Sequence, residues 1–328
     1  MLYKLTSTRV FRFYTGGKYI DDLTGVASPA VSSFPEDWLG SVTSAINPGR
    51  NVPGEGLSKT EDGRYLKDII EENREEMLGE HREMKLLCKL LDAAERLAIQ
   101  AHPTVPFALE HFHSSFGKTE CWYLLNDGGS VYLGFRPGIT KEYWKQLFNQ
   151  QNIEGMLQCL HHFEVKKGDM IFIEGGVPHA IGEGCLLAEL QEPSDLVVCV
   201  ERVTPSGIEI PERKQHGGLG YEKMFDVFHY DGMTREEVEI RYFLKPQYLE
   251  EGRELLVGPD VTDKFRLERL EINGCRKYAV SEYGIVLVTE GTGKINGISL
   301  TAGDRLFVPA SEKILDCCGC MKLLFCSP

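Results

Sequence analysis

The sequence predicts a mainly β protein of two jelly-roll barrels, with helices decorating only the first, and three observations carry that prediction. Beyond Val165 short apolar runs alternate with Gly and Pro every several residues, the mark of strands and turns. The segment VKKGDMIFIEG from Val165 returns as LTAGDRLFVPA from Leu300, a Gly-Asp turn feeding an apolar strand in both places. Helical spacing of apolar residues is confined to two stretches in the first half of the chain.

Taken in order, residues 1–60 are rich in Gly, Pro, Ser and Thr, with apolar pieces such as Val10 to Tyr14, and read as short strands and loops. Asp62 to Leu78 places Leu66, Ile69, Ile70 and Met77 near helical spacing among charges, an amphipathic helix with an acidic solvated face. Met84 to Ala101 has helical propensity. The family resemblance set out below suggests instead two strands, Leu86 to Leu91 and Leu97 to His102, joined by a turn from Asp92 to Glu95, and that reading is adopted. A ligand pair two residues apart requires extended backbone. Thr140 to Leu160 is again helical, with Thr140 as N-cap. The pair His161-His162 is expected at that helix's end. The domain boundary is placed near residue 228, giving a first barrel at 1–228, with helical insertions at about 62–80 and 140–162, and a second at 229–328.

Chemistry concentrates between Leu97 and Trp122, which holds Gln100, His102, His111, His113, Lys118 and Glu120. On a strand Gln100 and His102 project from one face and reach one ion. A further ligand has to come from elsewhere, and the best supplier is His179 in VPHAIG, just after the Met170 strand. Imidazole with carboxylate and amide oxygen suits Zn²⁺ and also accepts Mn²⁺, Co²⁺ or Fe²⁺. One carboxylate in such a set leaves net positive charge for a substrate oxygen, as a catalytic site requires. His111 and His113 share ligand spacing without other support and are expected at the surface or in a supporting role.

These motifs, Ile99-Gln100-Ala101-His102-Pro103, Gly117 to Tyr123, Val177 to Gly182, and Glu189 followed by Ser194-Asp195, resemble the type I mannose-6-phosphate isomerases of the cupin superfamily. The likeness runs from Gly16-Gly17 to about residue 200. It implies one metal ion per chain, usually zinc, on Gln100, His102, Glu120 and His179. It further implies interconversion of mannose 6-phosphate and fructose 6-phosphate through a cis-enediolate, with Lys118 and Glu189 handling protons and Asp195 lining the pocket.

Two positions depart from the family. An arginine generally stands four residues after the aspartate of the Ser-Asp pair, where this chain has Cys199, and a serine often stands where it has Ala98. A thiol cannot replace a permanent planar cation, and one lost hydroxyl donor costs about 1 kcal/mol. Arg202 is the nearest replacement, although three residues along a strand reverses the facing. Two alternative readings therefore stand beside the phosphosugar isomerase: an isomerase of a different, unphosphorylated sugar, and a non-catalytic sugar-binding cupin. Retention of all four ligand positions argues against the second of these.

Several other classes are excluded. Gly117-Lys118-Thr119 lacks the first glycine of a P-loop, since that position is Phe112, and the glycines from Gly291 to Gly297 fit a hairpin better than a dinucleotide fingerprint. The net charge of −13 makes nucleic acid and anionic membranes poor partners, so an anionic substrate would need a local basic pocket. No stretch approaches the roughly 20 apolar residues of a membrane span, and no signal-peptide core is visible. The ten cysteines are read as reduced thiols of a cytoplasmic protein, including the cluster Cys317, Cys318 and Cys320. In the second repeat the position equivalent to His179 is Ile314, so the second barrel is expected to bind no metal. Its expected role is packing or oligomer contact, with no oligomer predicted.

Overall fold

The computed structural model describes residues 1–328 and is mainly β, with three antiparallel sheets. The first half folds as two facing sheets. One has seven strands, in which Glu120–Leu124, Leu186–Gln191, Leu87–Asp92 and Glu36–Leu39 lie side by side. The other has five, with Val198–Cys199, Gln100–Ala101 and His179–Ile181 adjacent. The second half is an eight-stranded sheet dominated by the long strands Arg266–Ala279, Gly284–Ile295 and Ile314–Ser327.

The repeat seen in the sequence is a repeat of turn geometry. Gly168 and Gly303 have φ of 89° and 87°, the left-handed region that favours glycine. Asp169 and Asp304 each accept from the backbone N–H three residues earlier, Lys166 at 2.9 Å and Thr301 at 2.8 Å. Strands Met170–Ile173 and Arg305–Val308 follow.

The seven-stranded sheet is covered on both faces, which is why Leu87–Asp92, Glu120–Leu124 and Leu186–Gln191 are buried at every residue. Alternation sends Leu39, Cys88, Leu90, Cys121 and Leu190 outward into one core with Leu267, Leu287, Leu324 and Cys326 of the second half. It sends Trp38, Lys89, Glu189 and Trp122, successive partners across four strands, to the inner face. The second half thus dries the back of the sheet whose front carries charge.

The halves are also tied by exchange of strands. Tyr3–Lys4 pairs with Leu306 and Phe307 in the second sheet, whereas Phe243–Leu244, beyond the expected boundary near 228, pairs with Met170 and Ile171 in the first. A buried ion pair, Arg305 to Asp37 at 2.6 Å, joins them as well, and Asp37 also accepts from Thr8 N and the Ser7 hydroxyl.

Three expectations need correction. His161 and His162 lie on strand Leu160–Val165, because the helical stretch divides into Lys141–Gln150 and Ile153–Gln158 and ends before them. The strand expected from Leu97 shortens to Gln100–Ala101, since the Ile99 N–H is taken by the Glu201 carboxylate at 2.7 Å instead of by a neighbouring strand. The cysteines are not all thiols: Cys275 and Cys318, directly opposite on two long strands, form a disulfide, and of the eight free cysteines only Cys320 is exposed. His113, expected at the surface or in a supporting role, is exposed and caps helix Val105–Phe112 in a left-handed conformation, with φ of 54°.

Removing one partner of a buried pair strands the other charge. Arg305→Met is therefore expected to lose about 3–5 kcal/mol of stability, read from the midpoint of urea unfolding, and an unchanged midpoint would show that the halves do not depend on this pair.

Candidate metal centre and cavity

Glu120, the first residue of its strand, projects from the seven-stranded sheet toward the five-stranded sheet, which brings His179 and, just past Gln100–Ala101, His102. Ligand atoms of His102, Glu120 and His179 all lie within 4.8 Å of one another, and all three residues are buried. Each imidazole Nε2 stands 3.4 Å from a different Glu120 oxygen. The ring proton of each histidine is assigned by its partner: Nδ1 of His102 faces the Leu196 carbonyl and Nδ1 of His179 the Val177 carbonyl, both at 2.9 Å. Both Nε2 lone pairs are thereby aimed inward.

Gln100 lies beside the group on the same sheet. It pairs in register with His179 on one side and Cys199 on the other, so the three side chains share a face. Its Oε1 lies 4.0 Å from the Cys199 sulfur.

The electrostatics suit a cation. Burial pushes the His102 pKa down to about 4, with Lys118 adding to the effect, and lowers that of His179. Both are held neutral, as metal ligands must be. Burial would raise the Glu120 pKa, but the positive charge of Lys118 opposes it and the carboxyl stays ionised. The Lys118 ammonium touches His102 Nε2 at 2.9 Å and Glu120 Oε2. Glu120 Oε1 and His179 Nε2 are buried with no partner at all. Orphaned acceptors converging on one point fit a divalent ion, because leaving them unpaired is costly.

Lys118 is aimed by the loop that carries it. Glu192 accepts from the N–H groups of Gly117 and Thr119, at 3.3 and 2.9 Å, and Lys118 N donates to the Pro103 carbonyl at 3.0 Å. Gly117 has no alternative: a Cβ there would lie 2.6 Å from Pro103 O.

The group opens into a cleft of about 670 Å³, counted out to its mouth. Its lining includes Gln100, His102, Lys118, Glu189, Asp195, Ala98 and Cys199, so five of the residues singled out in the sequence meet there with the two departures. Arg202 does not. Glu201, in phase with Cys199, turns inward to Arg96 at 2.6 Å, and Arg202 points out and stacks over Phe148 at 5.1 Å. The proposed replacement for the missing arginine is therefore misplaced.

Three cations that the sequence reading missed line the cleft: Arg12, Lys89 and Lys214, together with Glu36. Arg12 bonds Glu36 at 2.8 Å and Asp195 at 3.0 Å, and Lys89 bonds Glu189 at 3.0 Å. Burial opposes the Glu36 charge, yet Arg12 and Lys89 hold its pKa well below the usual carboxylate range. Four cations thus face three carboxylates in the lining, Glu36, Glu189 and Asp195, of a chain whose net charge is −13. A lone lysine in the otherwise apolar run LLCKLL was a signal for Lys89, because an unpaired ammonium is not buried there.

Burial pushes the Cys199 thiol up to about 12. Folded protein at pH 8 should accordingly incorporate iodoacetamide at exposed Cys320 and spare Cys199. Peptide mapping tests this, and early labelling of Cys199 would contradict a closed, neutral thiol.

Comparison with known proteins agrees with this geometry. No family model matches the chain. It is 28% identical over 310 residues, 90% of this chain and 89% of the other, to a protein of Bacillus subtilis (strain 168) named "Probable mannose-6-phosphate isomerase GmuF". It is 35% identical over 150 residues, 43% of this chain and 45% of the other, to the mannose-6-phosphate isomerase of Streptococcus mutans. The fold matches the crystal structure of mannose 6-phosphate isomerase from Bacillus subtilis at a TM-score of 0.79, with 24% identity, covering 100% of this chain and 99% of that one. A mannose 6-phosphate isomerase bound with zinc and yttrium matches at 0.76, with 18% identity over 99% of each chain. Across nine-tenths of its sequence this chain is similar to a protein named as a probable mannose-6-phosphate isomerase, and across the whole of its fold to a solved mannose 6-phosphate isomerase.

Proposed function

We propose that the protein is a zinc-dependent aldose-ketose isomerase that interconverts mannose 6-phosphate and fructose 6-phosphate through a cis-enediolate. The observation that carries this reading is the orphaned His102–Glu120–His179 group opening into a cleft with more cations than carboxylates. Named homologues of similar length support the same reaction.

Gln100, His102, Glu120 and His179 are the residues that would hold the ion. A zinc ion there supplies Lewis acidity toward neighbouring oxygens of an open-chain sugar and a fixed positive charge. The chain's own groups do the rest. Isomerisation moves a proton between adjacent carbons, which requires one base within reach of both. Glu189 is the best placed carboxylate, 3.0 Å from Lys89 and 3.7 Å from Lys118. Lys118, between Glu189 and the ligand group, is placed to exchange protons with the sugar oxygens. Asp195 is an organiser: one oxygen accepts from Arg12 and the other from Ile46 N at 2.7 Å, which leaves it little freedom to act as base. The enclosing strands exclude water, so charge developing on the sugar is answered by fixed groups.

The test is a coupled isomerase assay on protein reconstituted with Zn²⁺, run with mannose 6-phosphate and with unphosphorylated mannose. Turnover of the phosphate ester is expected. His179→Ala should abolish it together with stoichiometric metal, with an unchanged far-UV circular dichroism spectrum. Equal turnover of the two sugars would replace this reading with isomerisation of an uncharged sugar, and full metal content in His179→Ala would remove the ligand assignment.

A further inference from the structure

The cleft's cations are not equally engaged. Arg12 directs its nitrogens to Glu36, Asn47, Asp195 and the Phe11 carbonyl. Lys89 is held by Glu189 and stacks over Trp38 at 5.1 Å. Lys118 is committed to His102, Glu120 and Glu189. Lys214 differs. Its ammonium makes one hydrogen bond, to the Ile46 carbonyl at 3.1 Å, and its nearest carboxylate, Asp195, is 3.9 Å away. An ammonium has three donors, so two are left to face the cleft. The imbalance also shows in its titration, since burial lowers the Lys214 pKa more than Asp195 restores it.

Its position fits an anion at the outer end of the cleft. The Lys214 side chain is 12% exposed, whereas those of His179 and Glu120 are 0% and 1% exposed, so the lysine lies nearer the mouth and the ligand group at the floor. Lys214 sits on helix Glu212–His216, which packs against strand Val198–Cys199. Among charged groups it exerts the largest influence on the Cys199 thiol. A positive charge thus reaches the vicinity of Cys199 from another element.

We propose that Lys214 is the residue that binds the anionic group of the substrate, a sugar monophosphate, with the phosphate at the mouth and the carbonyl end against His102, Glu120 and His179. The inference rests on the isomerase reading of the same cleft and adds the residue that selects a phosphorylated sugar. Cys199 and Lys214 form a relocated cation site: the charge missing from the strand is supplied by the helix beside it.

Lys214→Met keeps the aliphatic stem and removes the charge. With Zn²⁺-loaded protein, its kcat/KM for mannose 6-phosphate should fall on the order of 10- to 100-fold, the loss lying mainly in KM. Competitive inhibition by inorganic phosphate should weaken by a similar factor while zinc content stays at the wild-type value. Adding Cys199→Arg to Lys214→Met should restore phosphate inhibition, a rescue that a purely structural role for Lys214 would not produce. Unchanged KM and unchanged phosphate inhibition in Lys214→Met would overturn the proposal. Calorimetry with inorganic phosphate separates it from the isomerase reading. A wild-type protein inert toward mannose 6-phosphate that still binds phosphate through Lys214 would sink only the isomerase. A protein that turns over the sugar phosphate at full efficiency without Lys214 would sink only this assignment.

Discussion

A carboxylate kept ionised at zero exposure is the constraint on which the rest of this structure turns. Glu120 sits between two sheets, away from water, and burial alone would protonate it. Its charge survives because the Lys118 ammonium meets it, and Lys118 and the two imidazoles beside it are each fixed by something further out. The Leu196 and Val177 carbonyls orient the rings, and Glu192 clamps the loop that aims Lys118. The arrangement remains unfinished within the protein itself, since Glu120 Oε1 and His179 Nε2 lack partners.

Dryness is the second barrel's contribution. The sheet that carries Glu36, Lys89, Glu189 and Glu120 on its inner face would expose Cys88, Leu90 and Leu190 on its outer face if it stood alone. Packing these against Leu267, Leu287 and Leu324 leaves the backbone of the inner strands rigid and shielded. Exchanged strands and the Arg305–Asp37 pair hold the two halves in register. A second barrel whose residue at the His179 position is Ile314 therefore acts on the site through packing.

The convergence of His102, Glu120 and His179 was legible because these residues fall in short local motifs: His102 two after Gln100, His179 after the repeated Gly-Asp turn. The Gly-Asp repeat was legible for the same reason, as a turn whose φ and side-chain bond are local. What escaped was long-range. Arg12, Lys89 and Lys214 reach the cleft from three distant elements, and only Lys89, alone in an apolar strand, left a local trace. Arg202 failed as a replacement for the arginine because strand alternation turns Glu201 inward and Arg202 outward. The Cys275–Cys318 bond depends on the register of two long strands, which composition does not determine.

Cation placement is what the sequence motifs do not carry. His102, Glu120 and His179 come from local motifs, whereas the positive charge of the cleft is gathered from Arg12, Lys89, Lys118 and Lys214, and Cys199 adds none. The most direct test of the account is anomalous X-ray scattering at the zinc edge from crystals of the Zn²⁺-loaded protein. The account predicts a single strong peak among Gln100, His102, Glu120 and His179, with Lys118 displaced from Glu120 by the incoming charge. A peak confined to the cysteines, or none between the two sheets, would contradict it.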